Sequence, residues 1–352
     1  MKSFLVTGGC GFVGSHTCQY LLENNFNVII LDSLYTSTPG VIDNLEKIGL
    51  IKKINYRKNL IFFKGDVRDE SLLEKIFYKA KNANKPINAV FHFAGLKSIA
   101  ESNSYPHKYW DVNVHGTITL IKVMERFNCR NIIFSSSASV YGNSSKKLID
   151  ENTLVNPVNV YGKTKSAVET FLKDIFFENS HSWRIACLRY FNPVGAHKSG
   201  LIGENPNNKM NLFPVMSQVA QGFIKELDIF GSTWNTPDGT CIRDYIHILD
   251  LASAHLKTLE YLLNEDPQYL VLNIGTGKGT SVLNAIETFM KINKCNIPFS
   301  FKNKRSGDVA YLVSSNKLAL SKLKWQPKYS LEDMCRDLWR WHNLYKKTLI
   351  KK

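Results

Sequence analysis

Three polar side chains near the middle of the chain have the types and spacing needed for chemistry on a hydroxyl group. Tyr161 and Lys165 are four residues apart in the segment VYGKTK, which puts both on one face of a helix. Ser137 ends a predicted buried strand, at the edge where ligands bind in open α/β sheets. A free phenol has a pKa of about 10, and a neighbouring ammonium favours the phenolate that a general base requires. We therefore predict Tyr161 as the base, Lys165 as the residue that tunes it, and Ser137 as the holder of the reacting oxygen.

A glycine-rich turn near the start of the chain predicts the cofactor that this chemistry needs. The cofactor site matters for the interpretation of Tyr161 and Lys165, because an isolated Tyr-x-x-x-Lys pair more often has a packed ring and a lysine that extends to solvent. Here VTGGCGFVGSH follows a predicted strand and opens a helix: Gly9, Gly11 and Gly14 fit G-x-G-x-x-G, and Gly8 gives the alternative G-x-x-G-x-x-G. Such glycines let the backbone approach a pyrophosphate. Asp32, about 20 residues on, would hold the ribose hydroxyls and repel a 2′-phosphate, which favours NAD over NADP.

Two further motifs leave alternatives open. Asp66, in FFKGDVRD, lies where it would meet the adenine edge, or it caps the next helix. The segment NIGTGKGTS resembles a phosphate loop, but Gly279 follows its lysine where a serine or threonine is needed. We interpret that segment as a tight turn before a helix from Val282 to Ile292.

Alternating apolar runs and amphipathic segments predict the fold of the first half. The predicted strands are Phe4 to Val6, Val28 to Leu31, Leu60 to Phe63, Ala89 to Phe93, Ile132 to Phe134 and Ile185 to Tyr190, and the predicted helices are Val13 to Asn24, Ser71 to Ala80, His115 to Phe127 and Val160 to Phe177. This alternation predicts an α/β fold with a doubly wound parallel sheet. Prolines and glycines cluster after Asn192 and indicate a smaller mixed lobe. We predict a dinucleotide-binding domain over 1–191, a mainly substrate-binding lobe over 192–345, with some elements returning to the sheet, and a tail over 346–352.

Composition narrows the class of protein. The 352 residues carry a formal net charge of +15, but the lysines are scattered and form no basic stripe with interleaved aromatics, so we expect no nucleic-acid partner. The seven cysteines are widely spaced without a C-x-x-C pair, which argues against a disulfide framework and a metal site. No apolar run approaches membrane-spanning length and the first residues leave no room for a signal peptide. We expect a cytoplasmic protein with no membrane partner.

The motifs TGGCGFVG, HFAGLK, FSSSASVYG, YGKTK, RYFNPVGAH, GTCIRDYIHILDLA and RSGD follow one another between about Leu5 and Trp341. Together they resemble the UDP-hexose 4-epimerases of the extended short-chain dehydrogenase/reductase family. The resemblance implies a Rossmann-type fold with a C-terminal substrate lobe. It also implies reversible 4-epimerisation of UDP-galactose and UDP-glucose through a 4-keto sugar, with hydride passed to and from bound NAD. A homodimer formed through the helices around Tyr105 to Phe127 and Val160 to Phe177 is expected from the family.

The resemblance also implies contact residues. Those for the cofactor are Gly8, Gly11, Phe12, Val13, Gly14, Asp32, Ser33, Asp66, Val67, Phe93, Lys97, Asn113, Tyr161, Lys165 and Tyr190. Those for the UDP-sugar are Ser137, Ala138, Ser139, Tyr161, Phe191, Asn192, Asn211, Leu212, Asp228, Ile229, Phe230, Arg243, Arg305 and Asp308. Met210 replaces the first asparagine of the family's Asn-Asn-Leu, which puts that contact in doubt.

Leu312 bears on substrate choice, because the family often carries tyrosine or cysteine at the position aligned with it. In the family, a bulky tyrosine at this position tends to exclude N-acetyl sugars. Leucine is smaller than tyrosine, which suggests tolerance of UDP-N-acetylglucosamine. Related 4,6-dehydratases and decarboxylases would need an acidic residue where Ala138 and Ser139 stand. A non-catalytic NAD-binding protein would keep the glycine turn and lose the serine, tyrosine and lysine. Epimerisation is therefore preferred over both alternatives.

Overall fold

The computed structural model describes residues 1–144, 146–178, 182–206, 211–305 and 307–350, and the side chains of 347–350 are not described. In chain order, the strands are β1 (Ser3–Thr7), β2 (Asn27–Asp32), β3 (Leu60–Lys64), β4 (Ile87–His92), β5 (Asn131–Ser137), β6 (Arg184–Tyr190), β7 (Asn192–Val194), β8 (Leu227–Phe230), β9 (Ile242–Arg243), β10 (Tyr245–His247), β11 (Gln268–Ile274), β12 (Thr280–Ser281), β13 (Phe299–Lys302) and β14 (Tyr311–Leu312).

Twelve α-helices are found in these described segments. They are α1 (Phe12–Glu23), α2 (Gly40–Ile51), α3 (Glu70–Asn82), α4 (Ile99–Ser104), α5 (Pro106–Tyr109), α6 (Gly116–Arg126), α7 (Val160–Glu178), α8 (Leu212–Ala220), α9 (Ile248–Asn264), α10 (Val282–Asn293), α11 (Lys317–Leu323) and α12 (Leu331–Ile350). A π-helical segment, Trp110–His115, precedes α6, and the 3-10 segments are Tyr56–Lys58 and Ala138–Tyr141. None of the described helices is both long and apolar enough to cross a bilayer.

Seven strands form one sheet in the order β11-β6-β5-β4-β1-β2-β3. The ladders that join β3, β2, β1, β4 and β5 are parallel, which requires helical crossovers between them. The fold class predicted from the sequence, an α/β protein with a doubly wound parallel sheet, is confirmed. The prediction missed β11, because its apolar run QYLVLNI lies about 80 residues after β6 in the chain and periodicity cannot assign a distant strand to a sheet.

The chain folds into two compact units, and each is assembled from separate stretches of sequence. The first comprises Met1–Gly142, Val155–Arg189 and Ala252–Leu272, and the second comprises Asn143–Leu154, Tyr190–Leu251 and the described part of Asn273–Lys352. The segment Asn143–Leu154 therefore lies in the second unit, and Ala252–Leu272, which holds most of α9 and β11, lies in the first, on the other side of the boundary drawn from the sequence at 191 and 192. The sequence predicts that some later elements return to the sheet, but local composition does not specify which ones.

Each unit has its own apolar core. In the first, residues of the sheet such as Leu5, Val90 and Ile132 pack with α6 residues such as Leu120 and with Trp183. Burial of each such side chain contributes about 1.5–3 kcal/mol.

In the second unit, Phe213 of α8, Ile229 of β8 and Phe289 of α10 pack with Leu338 of α12. The last helix extends to Ile350, within the segment 346–352 that was predicted as a tail. Its earlier turns are anchored to this core by buried residues such as Met334 and Leu338.

Candidate active site

The three predicted catalytic residues lie together in the first unit. Ser137 is the last residue of β5, and its hydroxyl accepts the backbone N–H of Ser139 at 3.2 Å. Tyr161 and Lys165 lie in the first turns of α7, and the phenol of Tyr161 shares a hydrogen bond with Ser137. Lys165 is 4% exposed, and its Nζ donates to the carbonyl of Ser135 at 2.7 Å. The alternative in which the lysine extends to solvent is therefore wrong.

Burial is the dominant influence on the two titratable groups. It raises the pKa of Tyr161 to about 12, and the hydrogen bond with Ser137 acts in the opposite direction. Burial also lowers the pKa of Lys165 to about 8, against the attraction of the Glu169 carboxylate. The Lys165 Nζ lies 5.8 Å from the centre of the Tyr161 ring and 4.7 Å from that of Phe134. A lysine with this pKa is mostly charged at pH 7, and its charge favours ionisation of the nearby phenol.

The glycine turn between β1 and α1 has the geometry of an anion cradle. Gly8 has φ +70°, and a Cβ there would lie 2.7 Å from the backbone nitrogen of Ala94. A Cβ at Gly14 would clash with the backbone of Gly8 and Gly9. Gly11 caps α1 without a side-chain hydrogen bond, and the first turn holds no acidic residue. The N–H groups at the start of α1 can therefore bind a phosphate.

Asp32 joins the end of β2 to this turn. The buried carboxylate accepts hydrogen bonds from the backbone nitrogens of Cys10 at 2.9 Å and Leu34 at 2.8 Å, and from the Ser37 hydroxyl at 2.9 Å. The neighbouring Ser33 is exposed. Neither Cys10 nor Ser37 was singled out from the sequence, because backbone donors and short loop hydroxyls carry no distinctive motif.

Asp66 is paired with Arg68. One carboxylate oxygen accepts the Arg68 backbone N–H and Nε, both at 2.9 Å, and the other accepts Nη2 at 2.6 Å. These hydrogen bonds hold the pKa of Asp66 below its usual range. The N-cap of α3 is Asp69, which accepts from the nitrogen of Leu72 at 2.9 Å. The alternative that Asp66 caps this helix is wrong, and its contact with adenine stays a prediction.

The loop after β4 is tied to α7 by the buried amide of Asn113. Its oxygen accepts the N–H of Leu96 at 2.7 Å, and its nitrogen donates to the Leu96 carbonyl and to the Thr164 hydroxyl, both at 3.1 Å. Phe93 in the same loop is half-buried, whereas Lys97 is exposed. Of the other predicted cofactor contacts, Val67 is buried and Phe12 and Val13 are half-buried at the start of α1.

The predicted contacts for the UDP-sugar from Phe191 onward all belong to the second unit, as does Tyr190, which was predicted as a cofactor contact. Arg243 Nη1 donates to the carbonyls of Ile242 at 3.0 Å and Val309 at 2.8 Å, and Nη2 lies 3.5 Å from Asp308. Asn192 donates to the carbonyl of Asp244 at 3.0 Å. Arg243 and Asp308 therefore lie together, as a clamp for an anionic group and a ribose would require.

The remaining predicted contacts occupy separate local environments. The Arg305 guanidinium lies 3.5 Å from the centre of the Phe230 ring, a cation–π contact. Asp228 lies 3.5 Å from Lys302. Ile229, the next residue of β8, packs into the core of the unit, and because side chains alternate along a strand, only those of Asp228 and Phe230 are accessible. The other predicted contacts are Tyr190, Phe191 and Ala138, which are buried, and Asn211 and Leu212, at the start of α8. Met210 lies outside the described residues.

Asp244 was not identified from the sequence, although it organises the second unit. Its buried carboxylate accepts hydrogen bonds from the nitrogens of Thr276 at 2.8 Å, Gly277 at 3.0 Å and Ser314 at 3.1 Å, and from the hydroxyls of Thr276 and Ser314. Gly277 has φ +73°, and α10 follows from Val282. The tight turn predicted for NIGTGKGTS is therefore confirmed, and this internal carboxylate takes the hydrogen bonds that a phosphate would use.

Comparison with known proteins finds matches that extend over nearly the whole chain. The profile of the family described as GDP-mannose 4,6 dehydratase matches residues 5–338. The UDP-glucose 4-epimerase of Bacillus subtilis is 41% identical over 342 residues, which cover 97% of each chain. The bifunctional protein GAL10 of Pachysolen tannophilus is 43% identical, and the match covers 97% of this chain but about half, 49%, of that longer protein.

A solved structure is also similar. It is the UDP-glucose 4-epimerase from Stenotrophomonas maltophila with bound NAD and formylated UDP-arabinopyranose. The TM-score is 0.92 at 39% identity, and the match covers 99% of this chain and 100% of that chain.

Proposed function

We propose, because this chain belongs to the UDP-glucose 4-epimerase family, that it catalyses the reversible 4-epimerisation of UDP-galactose and UDP-glucose. The cofactor is NAD, which the similar Stenotrophomonas maltophila enzyme binds together with a UDP-sugar. The glycine turn before α1 and Asp32 would hold NAD, and the bound cofactor would supply a reversible hydride acceptor for carbon 4 of the sugar. The observation that carries the proposal is the buried group of Ser137, Tyr161 and Lys165 in the same unit as the glycine cradle.

The residues at the glycine turn fit NAD. A Cβ at Gly8 or Gly14 would fill the space against neighbouring backbone, and the uncapped start of α1 offers N–H groups to a diphosphate. Asp32 lies at the end of β2, where its carboxylate would accept hydrogen bonds from the ribose hydroxyls. The other residues we assign to the cofactor are Gly11, Phe12, Val13, Ser33, Asp66, Val67, Phe93, Lys97, Asn113, Tyr161, Lys165 and Tyr190.

In the proposed mechanism, the phenolate oxygen of Tyr161 accepts the proton of the 4-hydroxyl group and later returns it. Ser137 donates a hydrogen bond to the reacting oxygen and keeps it within reach of the phenolate. Lys165 stays protonated and favours the phenolate by its charge, against the burial that raises the pKa of Tyr161 to about 12. Tyr161 and Ser137 can serve the reaction in both directions, from UDP-galactose and from UDP-glucose. The oxygen on carbon 4 stays beside them whichever face of the ketone receives the hydride.

We assign the uridine diphosphate to residues of the second unit. Arg243 and Arg305 would face the diphosphate, and Asp308 would accept from the uridine ribose. Asp228 and Phe230 would line the uracil, with Ile229 contributing backbone only. The sugar and diphosphate contacts assigned by resemblance are Ala138, Ser139, Phe191, Asn192, Asn211 and Leu212.

Ala138 and Ser139 argue against a dehydratase, although the matching family profile carries that description. Chemistry at carbons 5 and 6 requires a carboxyl group beside the sugar, to protonate and deprotonate those carbons. Ala138 is buried, and the Ser139 hydroxyl accepts a hydrogen bond from Ser137 at 3.1 Å. Neither side chain supplies an acid.

Turnover of UDP-galactose by the NAD-loaded protein is the direct test. We expect UDP-glucose to form, and we expect Tyr161→Phe to lower kcat by about 10²–10⁴-fold, as removal of a general base does, while NAD remains bound. Tyr78→Phe, an exposed tyrosine of α3, is the matched control and should leave kcat unchanged. If the chain is a non-catalytic NAD-binding protein, then neither the wild type nor either of the two variants will form UDP-glucose.

We also infer that the protein is a homodimer and that it is located in the cytoplasm. A homodimer is supported by the exposed aromatic residues Tyr105 and Trp110, 55% and 42% exposed, in the predicted interface helices of the first unit. A cytoplasmic location is supported by seven cysteines with free thiols. Fractionation of the producing cells, followed by activity assay, tests the location.

A further inference from the structure

A buried ion pair lies on the sheet side of α7, one helical turn beyond Lys165. The Glu169 carboxylate is 5% exposed and accepts two hydrogen bonds from the Arg189 guanidinium, 2.9 Å from Nε and 2.6 Å from Nη2. It also accepts a short hydrogen bond from the Ser136 hydroxyl. Arg189 lies in β6 and Ser136 in β5, so one carboxylate joins this helix to two strands.

The same ion pair also holds the turn that follows Ser137. Arg189 Nη1 donates to the Tyr141 hydroxyl at 2.9 Å, and the guanidinium carbon lies 4.9 Å from the centre of the Tyr141 ring. Tyr141 ends the 3-10 segment that Ser137 caps. The arginine that Glu169 holds therefore contacts the last residue of the turn that begins at Ser137.

We propose that Glu169 is a positioning residue, which fixes the helix of Tyr161 and Lys165 against the strand of Ser137 and places a negative charge on the sheet side of Lys165. This inference rests on the proposed function, because it assigns a role in that reaction. Two consecutive residues of β5 are hydrogen-bonded to α7. The carbonyl of Ser135 accepts from Lys165, and the hydroxyl of Ser136 donates to Glu169. A sliding movement of α7 along β5 would break both contacts.

The charge of Glu169 is the second part of this role. Burial lowers the pKa of Lys165 to about 8, and the Glu169 carboxylate is the largest influence in the other direction. Without it, Lys165 would lose its proton at lower pH. The Tyr161 phenolate would then lose its positive neighbour within the range in which the enzyme should work.

The other titratable groups that face Lys165 carry no compensating negative charge at pH 7. On β4, burial lowers the pKa of His92 to about 3, so this ring is neutral. On β6, burial raises the pKa of the Cys187 thiol, which also stays neutral. Tyr161 on α7 also lies beside Lys165. Arg189 on β6 and Tyr269 on β11 contact Glu169, the tyrosine by a hydrogen bond from its hydroxyl to the backbone carbonyl at 3.0 Å, and Tyr141 after β5 contacts Arg189.

The pH dependence of kcat, measured on the NAD-loaded protein with UDP-galactose, tests the proposal. We expect Glu169→Gln to move the alkaline limb of the profile down by about one pH unit, because the deprotonated form of Lys165 is favoured. Asp174→Asn, at an exposed carboxylate on the same helix, removes the same charge and should leave the profile unchanged. A purely structural residue would lower kcat equally at every pH.

Glu169→Gln leaves Arg189 as an unpaired buried cation, so the double variant Glu169→Gln/Arg189→Met, which removes both charges, provides a second measurement. Its alkaline limb should also move down. An unchanged limb in either folded variant overturns the proposal, and so does failure of both variants to fold, which would assign Glu169 to stability alone. Absence of turnover in the wild-type protein would refute the proposed function instead.

Discussion

At the residue scale, burial and charge oppose each other at Tyr161. Its environment raises the pKa of the phenol to about 12, and the hydrogen bond with Ser137 acts in the other direction. Lys165 is held beside the ring by a carbonyl of β5 and keeps a pKa of about 8. The proposed mechanism therefore requires positive charge close to a buried phenol, and the four-residue spacing of Tyr161 and Lys165 on α7 places the two side chains on one helix face.

Leu312 leads to a prediction at the same scale. It lies in β14 beside Arg243 of β9, in the unit that carries the assigned UDP contacts. Because leucine is smaller than the tyrosine often found there in the family, we expect turnover of UDP-N-acetylglucosamine as well as UDP-galactose. Leu312→Tyr should lower kcat/KM for the N-acetylated sugar by about tenfold or more, with a smaller effect on UDP-galactose.

Leu320→Tyr, at an exposed leucine of α11 in the same unit, is the control and should change neither kcat/KM value. Wild-type protein that turns over UDP-galactose but gives no product from UDP-N-acetylglucosamine would remove this hypothesis.

At the element scale, short turns are held by buried carboxylates in both units. Asp32 binds the glycine turn before α1, and Asp244 binds the turn that carries Thr276 and Gly277. Each carboxylate satisfies backbone N–H groups that have no partner within a strand or helix. The start of α1 differs, since its own N–H groups are left without a side-chain cap and are available to a ligand.

Replacement of Asp244 tests whether its carboxylate holds the turn at Thr276 and Gly277. An asparagine would turn an NH₂ group toward donors from Gly277 or Ser314, so at least one buried N–H would lose its acceptor. We expect Asp244→Asn to lower the free energy of unfolding by about 2–4 kcal/mol, measured by urea denaturation.

Glu287→Gln, at an exposed carboxylate of α10 in the same unit, should stay within about 0.5 kcal/mol of wild type. Equal stability of the two variants would show that the carboxylate is not what holds the turn.

At the scale of the whole molecule, two compact units carry different parts of the proposed function. The residues that we assign to catalysis and most of those for NAD belong to the first unit, and those for the uridine diphosphate belong to the second. The net charge of +15 is compatible with anionic ligands on both, although it does not specify one. The chain re-enters each unit, so neither is a single stretch of sequence.

Oligomeric state is the prediction at this scale. We expect light scattering after size-exclusion chromatography to give about twice the chain mass of 40.1 kDa. Trp110→Glu should produce monomers, because it places a charge in the apolar patch on the proposed interface helices. Tyr78→Glu, at an exposed aromatic residue on α3, should leave the dimer intact. A monomeric wild-type protein would contradict the prediction.

Structural features that depend on neighbouring residues along the chain could be predicted before the fold was known. Six strands of the sheet, the helix that carries Tyr161 and Lys165, and the glycine turn before α1 follow from periodicity and from local backbone requirements. The turn at 273–281 was also interpreted correctly, because the residue after its lysine excludes a phosphate loop. These features need only the residues next to them.

Contacts between residues that are far apart in the chain could not be predicted in this way. Strand β11 joins the sheet beside β6, Glu169 pairs with Arg189, and Asp244 collects donors from two loops. The structure also excludes one of the two roles that the sequence left open for Asp66, because Asp69 caps α3. A buried charge is stable only beside a partner that the fold supplies, and no local pattern specifies that partner.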